Sequence, residues 1–242
     1  MEYFLPYRIY QNLYKFLSYR KLTLVSGDLT KISKNPPLEN GLLEQSDFAA
    51  MVQYSGYIML EAKDAEGKIR KKIRDMHEST RKRETKTIIV LLDQHSNYIT
   101  AAQYFSKLLH LIPNIKNPDI EYNMDIIIVP YEYPGSNITN KLLEYISTGD
   151  TSKGYIRFMI YEYNYFMSVK MESVSVCPSR ILSAEEAKEI PRELHTKPIN
   201  MKKMRVVDVV AVWLGAEVGD IIEEEIPSEA TGIEKNYRFV KP

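Results

Sequence analysis

Asp208-Val209-Val210-Ala211-Val212-Trp213-Leu214-Gly215, continuing through Gly219-Asp220-Ile221-Ile222 and ending on Tyr237-Arg238-Phe239-Val240, reads as a complete small fold. Asp208 is placed to N-cap a short apolar helix, and Gly215 stands where a left-handed residue would end it. Gly219-Asp220 supplies a turn, and Ile221 to Ile226 has strand character. Pro227-Ser228-Glu229-Ala230-Thr231-Gly232 reads as a loop, and Tyr237 to Val240 alternates apolar and polar positions as a half-buried strand does. The tail is therefore expected to be a helical turn followed by a hairpin.

The order of these elements resembles the assembly domain of the smallest jaw subunit of multisubunit RNA polymerases, a family that comprises a short archaeal form and the longer fifth subunit shared by the eukaryotic nuclear polymerases. The resemblance extends upstream through Met167 to Glu186. There a strand, the Pro178 turn and the Ser183-Ala184-Glu185-Glu186 helix start follow the family's order. It covers roughly the last third of the chain, a span that suits one small domain.

Three positions depart from the family pattern. Val209 stands where the family has Pro, and the Glu-Thr-Ala-Gly run becomes Glu229-Ala230-Thr231-Gly232, which moves the hydroxyl by one residue. Ile226 replaces an Arg, and an aliphatic chain cannot substitute for a planar five-donor fork in an ion pair.

Composition narrows the class further. Lys and Arg number 32 and Asp and Glu also 32, so no global field attracts nucleic acid and any such contact needs a local patch. The single cysteine, Cys177, excludes an internal disulfide, suits a reducing compartment and reads as a small buried hydrophobe. The longest apolar runs fall well short of the ~20 residues a bilayer span requires, and Met1 to Pro6 lacks the basic start of a signal peptide. An intracellular, soluble protein is expected, with the Asn137-Ile138-Thr139 sequon unmodified.

Upstream, Tyr7 to Leu24 predicts an amphipathic helix with Ile9, Leu13, Phe16 and Leu17 on one stripe. Strands are expected at Gly56–Ala62, Thr85–Leu92 and Met124–Pro130, and helices at Lys68–Ser79 and Tyr98–Leu111. The fold class is α+β: an N-terminal α/β jaw domain over residues 1–164, then a C-terminal helix-and-hairpin assembly domain over 165–242. The Asn-, Pro-, Gly- and Tyr-rich tract around 114–150 reads in part as an insertion.

The resemblance implies that the jaw domain lies beside downstream duplex DNA. Lys68, Arg70, Lys71, Lys72 and Arg74, with Arg81, Lys82 and Arg83, form the densest basic run; it reads either as a phosphate contact or as a solvated helix face balanced by Asp75, Glu78 and Glu84. Ser96, Asn97 and Tyr98 open a strand-to-helix turn, either an ordinary one or one whose free N–H groups face phosphate. For anchoring, the resemblance points to Pro227, Ser228, Glu229, Thr231, Gly232, Tyr237 and Arg238. Trp213, Leu214, Gly215, Gly219 and Asp220 would shape the fold beneath, with Trp213 in the core.

Catalytic signatures are sparse. No glycine-rich phosphate loop, His-Glu-x-x-His, paired cysteines or Asp-x-Asp-x-Asp occurs, and the four histidines are scattered. Glu223-Glu224-Glu225, as consecutive strand residues, point to opposite faces and cannot converge on one ion, so they read as a solvated edge or a contact to a basic partner. One enzyme alternative stands: Asp47, Glu61 and Lys63 resemble the Asp, Glu-x-Lys pattern of restriction-type nucleases, in which carboxylates hold Mg²⁺ and a lysine helps activate water. A free-standing scaffold that docks peptides along a sheet edge is a third class.

The expected function is that of a non-catalytic subunit of a DNA-directed RNA polymerase, with no cofactor and no metal of its own. Its expected partners are the largest subunit, the other subunits and downstream double-stranded DNA, with no membrane. Its expected form is that of a divergent large DNA virus, with a cellular copy as the alternative, acting in a nucleus or, if viral, in a viral factory or a virion.

Overall fold

The computed structural model describes residues 4–25, 42–64, 85–93, 123–133, 140 and 156–242. The chain divides into two compact units, Met1–Met167 and Ser168–Pro242. The expected helices at 68–79 and 98–111 lie outside the described residues.

In the first unit, helix α1 (Phe4–Tyr19) buries Ile9, Tyr10, Leu13, Phe16 and Leu17 along the stripe that the 3.6-residue period produces. It ends earlier than its apolar pattern suggests, because Lys21 takes a left-handed conformation at φ 57°. Leu22–Leu24, expected as the last helical turn, is instead a short strand, β1, paired antiparallel with β2 (Tyr57–Asp64). The alternation of Leu22, Thr23 and Leu24 suits an edge strand as well as it suits a helix, and pairing decides between them.

Helix α2 (Gln45–Ser55) was not foreseen from the sequence. Its inward positions are few, Phe48 and Val52 among them, so its periodicity is faint. The clearest local sign is Gly56 at φ 78°, whose N–H closes the helix on the Val52 carbonyl at 2.7 Å.

Strands β3 (Thr85–Leu92), β4 (Asn123–Val129) and β5 (Ile156–Ile160) complete a sheet ordered β1-β2-β3-β4-β5. The β1–β2 and β2–β3 pairs are antiparallel, whereas β3–β4 and β4–β5 are parallel. Ile88 through Leu92 and Ile126 through Val129 are all buried, so both faces of β3 and β4 are covered. That is why they read as unbroken apolar runs rather than alternating ones. Of the 114–150 tract, residues 123–129 form β4, an interior strand.

Asp125 is fully buried in this sheet and is held bidentately by Arg157 on β5, at 2.9 and 2.8 Å. The two are register partners, so the fork spans adjacent strands on one face.

The second unit is a four-stranded sheet ordered β6-β8-β9-β7, from β6 (Ser179–Ile181), β7 (Lys202–Arg205), β8 (Ile221–Ser228) and β9 (Gly232–Lys241). Helix α3 (Glu186–Glu193) and helix α4 (Val209–Leu214) supply its two covers. Ile222, Val240 and Met204 pack with Ala211, Val210 and Leu214 of α4. On the opposite face, Ile221, Leu182 and Met201 pack with Phe239, Tyr237, and Ala187 and Ile190 of α3. The neighbouring pair Ile221-Ile222 thus anchors two cores, because successive strand residues face opposite ways.

The tail follows its local chemistry. Asp208 accepts from the Val210 N–H at 2.9 Å, Gly215 is left-handed at φ 70°, and Trp213 is fully buried. The hairpin is longer than its composition suggests: Pro227 and Ser228 belong to β8, Gly232 opens β9, and only Glu229, Ala230 and Thr231 form the turn.

Candidate docking surface

The functional candidates in the second unit sit on β8, β9 and the turn between them. Ser228 pairs with Gly232 and Pro227 with Ile233, so Pro227, Ser228, Glu229, Thr231 and Gly232 gather at the distal end of the hairpin. Gly232, at φ 78° with open space around it, lets the three-residue turn close. Ile233 beside it is 62% exposed, an uncovered apolar group next to the turn.

Tyr237 and Arg238 lie five and six residue pairs along the ladder from Gly232, about 17 and 20 Å at the usual strand rise. As neighbours on one strand they face opposite sides. Tyr237 packs toward α3 with the Leu182 cluster and pairs in register with Glu223. Burial, with the Glu223 carboxylate beside it, pushes the Tyr237 hydroxyl above its ordinary pKa. Arg238 donates through Nε to Glu224 at 2.7 Å on the other face. The hairpin end, Tyr237 and Arg238 therefore do not form one patch.

The Glu223-Glu224-Glu225 run is neither a solvated edge nor available to an external basic partner at its first two positions. Strand β8 is interior, between β6 and β9, and Glu223 and Glu224 are buried. Each finds its cations within the unit. Glu223 is bonded by Arg180 at 3.0 Å and by Lys235 at 3.3 Å, while Glu224 accepts from Asn236 and Arg238, both at 2.7 Å. Opposite pointing, which argues against a shared metal, is also what distributes the two carboxylates over two sets of partners.

Arg180 is the residue that the sequence reading missed. Its guanidinium bridges Glu223 on the sheet and Glu186 at the start of α3, meeting Glu186 bidentately at 2.9 and 2.8 Å. Glu186 also accepts from the Ser183 N–H at 2.8 Å, and Ser183 Oγ accepts in return from the Glu186 N–H at 3.3 Å. This reciprocal arrangement is a capping box, foreshadowed by the Ser-x-x-Glu spacing. Arg180, followed by the Ser183 N–H, holds the Glu186 carboxyl down at about 2. Glu186 and then Glu223 in turn raise Arg180 above the ordinary arginine range.

The other candidates are placed differently. Lys68, Arg70, Lys71, Lys72, Arg74, Ser96, Asn97 and Tyr98 lie outside the described residues. Asp47 stands in the first turn of α2, and Glu61 and Lys63 share a face of β2. Glu61, however, is ion-paired to Lys86 of β3 at 3.4 Å. Among the described residues no three His, Cys, Asp or Glu side chains come together as a metal site, and nothing in the structure supports the nuclease reading. Cys177 is half-buried rather than fully enclosed. No helix among the described residues is long and apolar enough to cross a membrane.

Comparison with known proteins agrees with this geometry. Residues 170–240 match the family model described as RNA polymerase Rpb5, C-terminal domain. The chain is 42% identical over 72 residues to the DNA-directed RNA polymerase subunit Rpo5 of Aeropyrum pernix, covering 30% of this chain and 80% of that one. It is 28% identical over 132 residues to the DNA-directed RNA polymerase RPB5 homolog of African swine fever virus (Tick/Malawi isolate), covering 54% of this chain and 62% of the relative. Against the same homolog from the Warthog/Namibia isolate it is 22% identical over 235 residues, 96% of each chain. The archaeal alignment matches about the length of the second unit, whereas the last viral one runs through both units. The chain belongs to the Rpb5/Rpo5 family of DNA-directed RNA polymerase subunits.

Proposed function

We propose that the second unit anchors the chain to the largest subunit of a viral-type RNA polymerase, and that the first unit lies beside the incoming duplex as a jaw. The chain itself carries no catalytic step. Support comes chiefly from the hairpin end, where Pro227, Ser228, Glu229, Thr231 and Gly232 project from a sheet covered on both faces by α3 and α4. A hairpin that is held rigid at its base and unburied at its tip can dock with little further loss of conformational freedom.

Downstream DNA would be met by local cations, because the chain as a whole is neutral. The candidates in the sequence are the basic run Lys68, Arg70, Lys71, Lys72 and Arg74 and the stretch Ser96, Asn97 and Tyr98, all outside the described residues. Contacts of this kind are blind to sequence and weaken steeply with salt.

The deciding experiment is affinity purification of the tagged full chain from infected or native cells, washed at moderate salt, with the co-purifying chains identified by mass spectrometry. Two very large chains and several smaller ones in fixed ratio are expected. Recovery of the chain alone, at a salt concentration that preserves apolar contacts, overturns the subunit reading.

A further inference from the structure

The carboxyl ends of β4 and β5 carry an unusual concentration of tyrosine. Strand β4 runs out into Pro130-Tyr131-Glu132-Tyr133, and β5 into Tyr161-Glu162-Tyr163-Asn164-Tyr165. The two exits stay side by side beyond the strands: the Tyr161 N–H bonds the Ile128 carbonyl and the Tyr163 N–H the Pro130 carbonyl, both at 3.0 Å. Tyr163 is the buried keystone. Its hydroxyl donates to the Leu92 carbonyl at the end of β3, and its ring meets Tyr131 edge-on, with centroids 5.5 Å apart. Tyr161 and Tyr165 form a second ring pair at 5.4 Å.

Around this keystone the outer rings remain accessible. Tyr131 is 43% and Tyr133 48% exposed, while Tyr161 and Tyr165 are half-buried. The charge interleaved with them is all of one sign, since Glu132 and Glu162 are the only charged side chains in 129–133 and 160–166. Rings fixed by backbone pairing present their faces at little entropic cost.

We propose that this tyrosine and glutamate apron is a second docking surface, which takes an arginine-bearing peptide segment of a protein partner. Guanidinium is the chemistry that suits both components at once: it lies flat on a ring face and pairs bidentately with a carboxylate. The molecule uses the first contact internally, where the Arg20 guanidinium sits 4.4 Å from the Phe16 ring centroid. Charge sign argues against a phosphate backbone at the same place, because Glu132 and Glu162 would repel it. The surface belongs to the first unit and the hairpin end to the second, and neither contact requires the other.

The test uses the full chain and a fluorescein-labelled peptide of alternating Arg and Gly, read by anisotropy beside a Lys-for-Arg peptide and an oligothymidylate. The Arg peptide should bind more tightly than the Lys peptide. It should lose about tenfold in affinity to Tyr131→Leu/Tyr133→Leu, and a severalfold part of that to Glu132→Gln/Glu162→Gln. Both pairs should leave the circular-dichroism spectrum unchanged; if the tyrosine pair does not, the glutamate pair decides. No measurable binding, or equal affinity for wild type and the deciding variant, overturns the proposal. Loss of oligothymidylate binding with peptide binding intact also overturns it, in favour of a nucleic-acid platform.

Discussion

Arg180 and Glu223 stand directly opposite each other across the β6–β8 pair, with Arg180 Nε donating to Glu223 Oε1 at 3.0 Å. Glu223 is 3% exposed, so this contact determines whether a carboxylate can reside inside the sheet. Continuing the row, Tyr237 pairs with Glu223 from the other side, and Glu186 holds the far edge of the guanidinium. One arginine thereby ties the central strand of the sheet to the start of α3.

Arg180→Leu is expected to destabilise the second unit by about 2 kcal/mol, since Glu223 would stay buried with Lys235 as its remaining cation. Trp213, the only tryptophan and fully buried, provides the readout: its fluorescence in a urea titration should shift to a lower midpoint. Arg180→Lys should recover only part of the loss, because an ammonium cannot engage Glu186 bidentately while also reaching Glu223.

Glu186 introduces a pH dependence with a definite sign. Its carboxyl titrates at about 2 in the folded chain against 4.5 when unperturbed, so it favours the folded state above about 4.5. That contribution is lost as pH falls from about 4.5 to about 2, where the carboxyl protonates even when folded. In Glu186→Gln the corresponding component of the acid transition, followed by Trp213 fluorescence, should vanish.

The ends of α4 should each be worth a measurable amount. Asp208→Ala removes the side-chain acceptor for the Val210 N–H and should cost about 1 kcal/mol. Gly215→Ala forces a Cβ into a left-handed residue at φ 70° and should cost about as much. Both are read from the same urea midpoint.

In the first unit, Arg157→Met leaves the fully buried Asp125 without its bidentate partner and should cost about 3 kcal/mol in calorimetry. The double change Asp125→Leu/Arg157→Met should recover most of that loss. A double variant as unstable as Arg157→Met would show that packing rather than the broken ion pair sets the cost.

At the hairpin end, Ser228→Ala/Glu229→Ala should reduce recovery of the large polymerase chains in affinity purification while leaving the Trp213 urea midpoint within about 0.5 kcal/mol of wild type. Tyr237→Ala should lower that midpoint itself, because its ring packs on the Leu182 cluster.

Local chemistry determined the helix and the turns of the tail. Asp208 as a cap and Gly215 and Gly219 as left-handed residues act over a few bonds, and the structure places each where its side chain or backbone freedom requires. The same holds for β3, whose unbroken apolar run is a strand over Thr85–Leu92, and for the Ser183 to Glu186 capping box. Tertiary structure decided what depends on distant partners. Leu22–Leu24 left its helix because β2 offered an edge, and α2 formed around few buried side chains, Phe48 and Val52 among them. The acidic run on β8 became interior because Arg180, Lys235, Asn236 and Arg238 converge on it from β6 and β9. A charge in sequence declares its sign but not its neighbours. Whether Glu223 faces water or an arginine depends on strand order, which no window of residues contains.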